Sequence, residues 1–96
     1  MKEREHQIQL YLIYGKLFTE NQKKIFEEYY FEDLSLSEIA ENMNMSKSYV
    51  GKTLQIILER LKHYEETLQI NYKNNLIINA LESKNYKVQI KKIISG

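Results

Sequence analysis

The sequence predicts an all-α protein: a helix-turn-helix bundle with a long C-terminal recognition helix and a small helical extension behind it. Three observations carry this. The 96-residue chain has no proline and only three glycines, Gly15, Gly51 and Gly96, so it lacks the residues that punctuate β-turns. Its apolar residues recur at intervals of three and four rather than two, which is the helical period. Side chains able to cap a helix start stand before three of those runs, at Thr19, Ser35 and Ser46.

The elements follow in order. Ile8, Leu10, Tyr11, Ile13, Tyr14 and Leu17 define a first helix from about Glu5 to Lys16, whose last turn Gly15 weakens. A second runs from Thr19 to Asp33. Thr19 and Gln22 have capping-box spacing, Ile25, Phe26, Tyr29 and Tyr30 share one side, and Glu27 and Glu28 are expected to face solvent. Ser35 and Glu38 form the next capping box, before a short buried helix carrying Leu36, Ile39, Ala40 and Met43. Ala40 is small enough to let another helix cross closely, and Asn44 sits where the chain must reverse, in a left-handed conformation that asparagine tolerates.

Ser46 then caps a long fourth helix. Val50, Leu54, Ile57, Leu61, Tyr64 and Leu68 recur at alternating spacings of four and three, a heptad seam. A helix of about 23 residues is ~35 Å long, more than a trihelical unit covers. Its far half needs a partner, either the first helix or a second copy of the chain. Ile56 and Leu58 flank the seam and are expected at the surface. Beyond it, Tyr72, Leu76, Ile77, Ala80 and Leu81 read as a helix, Lys84-Asn85 as a break, and Tyr86, Ile90, Ile93 and Ile94 as a last amphipathic piece. The expected division is a domain over 1–70 and a helical extension over 71–96.

Composition excludes much chemistry. Without cysteine there are no disulfides and no thiolate metal sites. His6 and His63 lack partners at ligand spacing. Glu27-Glu28 and Glu65-Glu66 are neighbours pointing different ways on helices, read as solvated charge rather than a facing acid-base pair. There is no glycine-rich phosphate loop and no nucleophile with an attendant base. The expectation is no catalytic, cofactor-binding or metal-binding residue and no enzyme. No apolar run approaches the ~18 residues of a spanning helix, and MKEREHQIQL is not a secretory signal; no membrane insertion is expected, and a cytoplasmic location is compatible. Net charge is +1, but residues 1–45 carry nine acids against five bases and residues 46–96 four against nine. The second half is where an anionic partner belongs.

The stretch SLSEIAENMNMSKSYVGKTL, residues 35–54, supplies each part of a helix-turn-helix: a capped helix, a small residue inside it, a turn of about three residues and a second capped helix. A plain helical hairpin shares these caps. In a helix-turn-helix, Ser46, Lys47, Ser48, Tyr49, Lys52 and Gln55 lie where contacts to bases and phosphates occur; otherwise they are a solvated helix start. Arg60, Lys62, Lys73, Lys84, Lys87, Lys91 and Lys92 extend either a phosphate-tracking surface or ordinary solubility charge. Tyr14, Tyr29, Tyr30 and Tyr64 fall on apolar stripes and read as core, leaving Tyr49 as the exception.

The wider context, LIYGKLFTENQKKIFEEYYFEDLSLSEIAENMNMS with HYEETL at 63–68, resembles the YlxM family of small helix-turn-helix proteins. The resemblance rests on Tyr14-Gly15, Leu17 and Thr19, on Asn21-Gln22, on Tyr29-Tyr30, and on Asp33 to Leu36, and covers roughly residues 10–70. It implies an all-helical domain like the fourth region of bacterial sigma factors. It also implies an accessory or regulatory role in the signal recognition particle pathway. The partners would be DNA or RNA, including the particle's own RNA, or its protein. Where relatives carry an arginine after the serine that opens the recognition helix, this chain has Lys47, and only Lys47 and Lys52 are charged over 46–56. Lysine cannot form arginine's bidentate fork to guanine. The alternative is a protein-interaction module, a homodimer or an adaptor, with a degenerate recognition helix. Gly51, Thr53 and Ile56 motivate it by standing where bases would be expected.

Overall fold

Helix boundaries in the computed structural model, which describes residues 2–82, follow the capping side chains. Helix α1 spans Lys2–Tyr14 and closes in a 3₁₀ turn, Gly15–Leu17. Helix α2 is Glu20–Tyr30, α3 is Leu36–Met43, α4 is Lys47–Leu68 and α5 is Ile70–Glu82. Both capping boxes form: Thr19 Oγ1 accepts from the Gln22 N–H at 3.2 Å while Gln22 Oε1 accepts from the Thr19 N–H at 3.0 Å. Ser35 and Glu38 repeat the exchange at 3.1 and 3.0 Å, and those bonds hold the Glu38 carboxyl below its usual range. Each box satisfies two helix-end groups that would otherwise need water.

The core is one cluster. Val50, Leu54, Ile57 and Leu61 of α4 are buried with Ile25 and Phe26 of α2, Ile39 and Ala40 of α3, and Leu10, Tyr11 and Tyr14 of α1. Helices α1, α2 and α3 all pack on α4. The seam therefore finds its partner within the chain from Val50 to Leu61, with α1 supplying cover and Tyr64 partly buried; Leu68, expected to complete it, is exposed because α4 ends there. Burial of each aliphatic side chain contributes about 1.5–3 kcal/mol, which makes α4 the spine. Leu58, expected at the surface, is half-buried against the cluster, whereas Ile56 is exposed.

Aromatic packing fixes α1 on α2. The Tyr11 and Phe26 rings stack at 4.0 Å between centroids, and Phe26 stacks on Tyr30 at 4.4 Å. The Tyr11 hydroxyl donates to Glu27 Oε2 at 2.6 Å, and burial, then this carboxylate, pushes its pKa up. Gly15 lies beneath that ring: a Cβ there would sit 3.2 Å from Tyr11 Cζ, which accounts for a glycine at this place. Arg4 ties the other end of α1 down, donating to the Tyr30 carbonyl at 2.6 Å and to Asp33 Oδ1 at 2.7 Å, with its guanidinium over the Tyr30 ring.

Three expectations are corrected. Helix α2 ends at Tyr30, not Asp33, because the Glu32 N–H bonds back to the Glu27 carbonyl and Asp33 is left-handed with φ 56°. Glu28 does not face solvent; it is 6 % exposed, with Oε1 accepting from Asn42 Nδ2 at 3.2 Å across the α2–α3 contact. Glu65 is not solvated surface charge; it binds the start of α5, as described below. The expected break at Lys84-Asn85 and the piece from Tyr86 to Ile94 lie outside the described residues, as do Lys84, Lys87, Lys91 and Lys92.

Candidate nucleic-acid interface

The turn between α3 and α4 is three residues, Asn44 to Ser46. Asn44 is left-handed (φ 55°, ψ 48°). The Met45 N–H bonds to the Ala40 carbonyl at 2.9 Å and the Asn44 N–H to that of Glu41 at 3.3 Å. This pair of bonds is a Schellman motif, which satisfies the carbonyls at the end of α3 and reverses the chain. Ser46 is extended, and its Oγ accepts from the Tyr49 N–H at 3.0 Å. The first helical N–H groups of α4, at Lys47 and Ser48, have no bond within the helix and point outward at the positive end of its dipole.

Helical geometry then sorts the side chains. Val50, Thr53, Leu54 and Ile57 turn inward and are buried; Ser46, Lys47, Ser48, Tyr49, Lys52 and Gln55 are all exposed. The six residues singled out from the sequence are thus all exposed: Ser48, Lys52 and Gln55 share the side opposite the buried face, and Ser46, Lys47 and Tyr49 stand round the helix start. Among the described residues neither lysine is in an ion pair. Tyr49 stands half out of the surface, apart from the tyrosines that build the core. Exposed Arg60 and Lys62 continue along α4, and exposed Lys73 follows on α5. Gln55 also borders a hollow of about 440 Å³ between α1 and α4, floored by Leu10 and Leu58 and edged by His6, Glu59 and Lys62.

Two of the three positions that suggested a worn recognition helix have another explanation. Thr53 is buried, so it was never a contact position. Gly51 is half-buried against α3: a Cβ there would meet Leu36 Cδ1 at 3.6 Å, an ordinary contact. Of the three, only Ile56 is exposed.

Sequence reasoning missed the polar junction at the other end of α4. Gln69 is left-handed (φ 54°, ψ 30°) and breaks α4 from α5. Glu65 Oε1 accepts from the Tyr14 hydroxyl at 2.7 Å and the Asn71 N–H at 3.1 Å, and Oε2 accepts from the Tyr72 N–H at 3.0 Å. The Tyr14 hydroxyl in turn accepts from the Ile70 N–H at 3.2 Å. Burial works against the Glu65 charge, but the Tyr14 hydroxyl and the two backbone N–H groups outweigh it and leave the carboxyl below its usual range. Tyr14 is pushed the other way, by burial and then by Glu65.

No helix among the described residues is long and apolar enough to cross a membrane, and no group of three or more acidic or histidine side chains among them could hold a metal ion.

The chain is 43 % identical over 72 residues to a UPF0122 protein of Ureaplasma parvum serovar 3, covering 75 % of this chain and 73 % of that one. It is 38 % identical over 94 residues to a UPF0122 protein of Mycoplasma capricolum subsp. capricolum, covering 90 % and 83 %. A UPF0122 protein of a Thermoanaerobacter species is 37 % identical over 81 residues, covering 84 % and 69 %. A family model described as "Putative helix-turn-helix protein, YlxM / p13 like" matches residues 1–95. With its capped α3, its three-residue reversal at Asn44 and its long capped α4, the chain belongs to this UPF0122, YlxM/p13-like helix-turn-helix family.

Proposed function

We propose that the chain binds nucleic acid through the open flank of α4, with Lys47 and Lys52 on phosphates and Ser46, Ser48, Tyr49 and Gln55 along the groove edge. The observation that supports it is the shared exposure of these six side chains beside the unbonded N–H groups of Lys47 and Ser48. Backbone N–H groups at a helix start, with the dipole behind them, suit a phosphate oxygen. Two lysines without an arginine fork favour backbone binding over base selection. Residues 1–70 would form the docking unit and 71–96 an appendage to it. On the family resemblance alone, we extend this to an accessory role in the signal recognition particle pathway, with the particle's RNA as one ligand and its protein as a neighbour, in the cytoplasm and without catalysis.

The test is binding against salt concentration, with duplex DNA and with signal recognition particle RNA as separate probes. Lys47→Ala and Lys52→Ala are each expected to lower the slope of log affinity against log salt by about 1. The probe that binds more tightly identifies the nucleic acid. Slopes unchanged in both variants overturn the assignment of this face.

A further inference from the structure

The outward side of α4 changes its charge along the helix. At about 100° per residue, Ser48, Lys52, Gln55, Glu59, Lys62 and Glu66 fall within an arc of about 80°, opposite buried Val50, Leu54, Ile57 and Leu61. All six are exposed. From the helix start the order is neutral, positive, neutral, then negative, positive, negative. The first three belong to the flank proposed to meet nucleic acid; the next three set two acids against one base. Among the described residues Glu59 is in no ion pair. Lys62 is set among acids: Glu59 stands three residues before it and Glu66 four after, and it shares the rim of the hollow between α1 and α4 with His6, Glu59 and Glu3. Arg60 lies about 100° round from Glu59, off this side.

We infer that Glu59 ends the nucleic-acid footprint, an inference that rests on the reading of the flank given above. Its carboxylate turns phosphates away from the middle of α4, so the helix docks through residues 46–55 and Lys62 stays off the backbone. Lys47 to Gln55 spans ~12 Å of helix axis, about the width of a B-form major groove. Glu59 follows ~6 Å further on. A rod laid side-on would place Lys47, Lys52 and Lys62 on phosphates together, but only by seating Glu59 among them. Like charges that close repel, and a carboxylate has no proton to offer a phosphate oxygen. Docking by the helix start keeps Lys47, Lys52 and the N–H groups of Lys47 and Ser48, and leaves Glu59 in water. The acid thus acts against the wrong pose rather than for the right one, which is how a repulsive group contributes specificity. Lys62 is then solubility charge, not the continuation of a phosphate track.

The test titrates the full chain with duplex DNA and with signal recognition particle RNA over a range of salt. Lys62→Ala should leave affinity and salt slope as in the wild type. Glu59→Gln should tighten binding about three- to tenfold at low salt and steepen the slope by about 1, as Lys62 reaches a phosphate. Lys62→Ala made in that background should take both gains away, a coupling that the double-mutant cycle reads directly. Glu59→Asp keeps the charge and should bind as the wild type does. Glu66→Gln, ~10 Å beyond Glu59 on the same side, should change nothing. A slope lowered by about 1 in the single variant Lys62→Ala overturns the inference, because the footprint then runs past Glu59. So does a Glu59→Gln variant of unchanged affinity, or one whose gain does not need Lys62. A loss of affinity confined to probes bearing cytosine also overturns it, making Glu59 a contact to the cytosine amine. Each of these leaves the role of Lys47 and Lys52 standing. Only slopes unchanged by their own substitution remove the flank, and this boundary with it.

Discussion

The two ends of α4 are entered and left by the same backbone device and held by different forces. Asn44 before it and Gln69 after it are both left-handed, with φ 55° and 54°. At the first junction the chain reverses over buried Ile39, Ala40 and Val50, with backbone bonds closing the turn. At the second, α5 is attached through a carboxylate, a tyrosine hydroxyl and three N–H groups, and its own apolar side chains stay exposed. A junction set in hydrophobic packing is lost only with the fold. One built on an ionised carboxylate can open by itself and answers to acid. The contrast assigns rigidity to the end proposed to meet nucleic acid and independence to the end that carries α5.

The largest effect should come from the packed end. Ile39→Ala removes a fully buried side chain and is expected to cost about 2–5 kcal/mol, seen as a lower midpoint in chemical denaturation followed by circular dichroism. Both junctions should fail together in that variant. Tyr14→Phe should separate them: it deletes the donor to Glu65 and the acceptor for the Ile70 N–H, costing about 1–2 kcal/mol. Amide exchange should rise in the first turn of α5 while α3 and the start of α4 keep their protection. Equal loss at both ends would dissolve the distinction drawn here.

Acid should act on the same end more gently. The Glu65 carboxyl is lower in the folded state than the ordinary 4.5. Its contribution is therefore complete above that pH and disappears as pH falls through the lower folded value. Measured relative to the intrinsic, base-catalysed exchange rate, the protection of the α5 amides should fall on acidification below about pH 4 and stay flat between about pH 6 and 8. Glu65→Gln keeps one acceptor oxygen where Glu65 uses two and turns an amide N–H toward a donor; it is expected to cost about 1–2 kcal/mol and should remove that acid dependence. The smallest effect is a gain. Gly51→Ala meets Leu36 Cδ1 at 3.6 Å without strain and should add about 0.5–1 kcal/mol of helix stability at the packed end, read as a higher thermal midpoint.

What could be read in the sequence was local. Thr19, Ser35 and Ser46 announce three helix starts because a cap and its partner lie three residues apart, and Asn44 announces a reversal because few residues accept a left-handed backbone. The seam from Val50 to Leu61 was legible because its period is that of one helix face. The six residues of the α4 flank followed from the same period once the inward face was known. Glu28 was not legible: its partner Asn42 comes from another helix, and periodicity alone turns a carboxylate outward. The α4–α5 junction was hidden for two reasons. Gln69 carries none of the usual signals for a left-handed break, and Tyr14 lies 51 residues from the Glu65 it binds. The HYEETL stretch marks the place in the family pattern, but solvated charge was the natural reading of two adjacent glutamates.

Because α4 is one uninterrupted rod of 22 residues, it fixes the azimuth of whatever is mounted at its two tips. One residue inserted in its exposed middle would swing α5 about the rod through ~100° and carry it outward by ~1.5 Å. Seven would lengthen the rod by ~10 Å and return the arm to within ~20° of its original bearing. The protein is in this sense a gauge, with span and phase written into the length of a single helix.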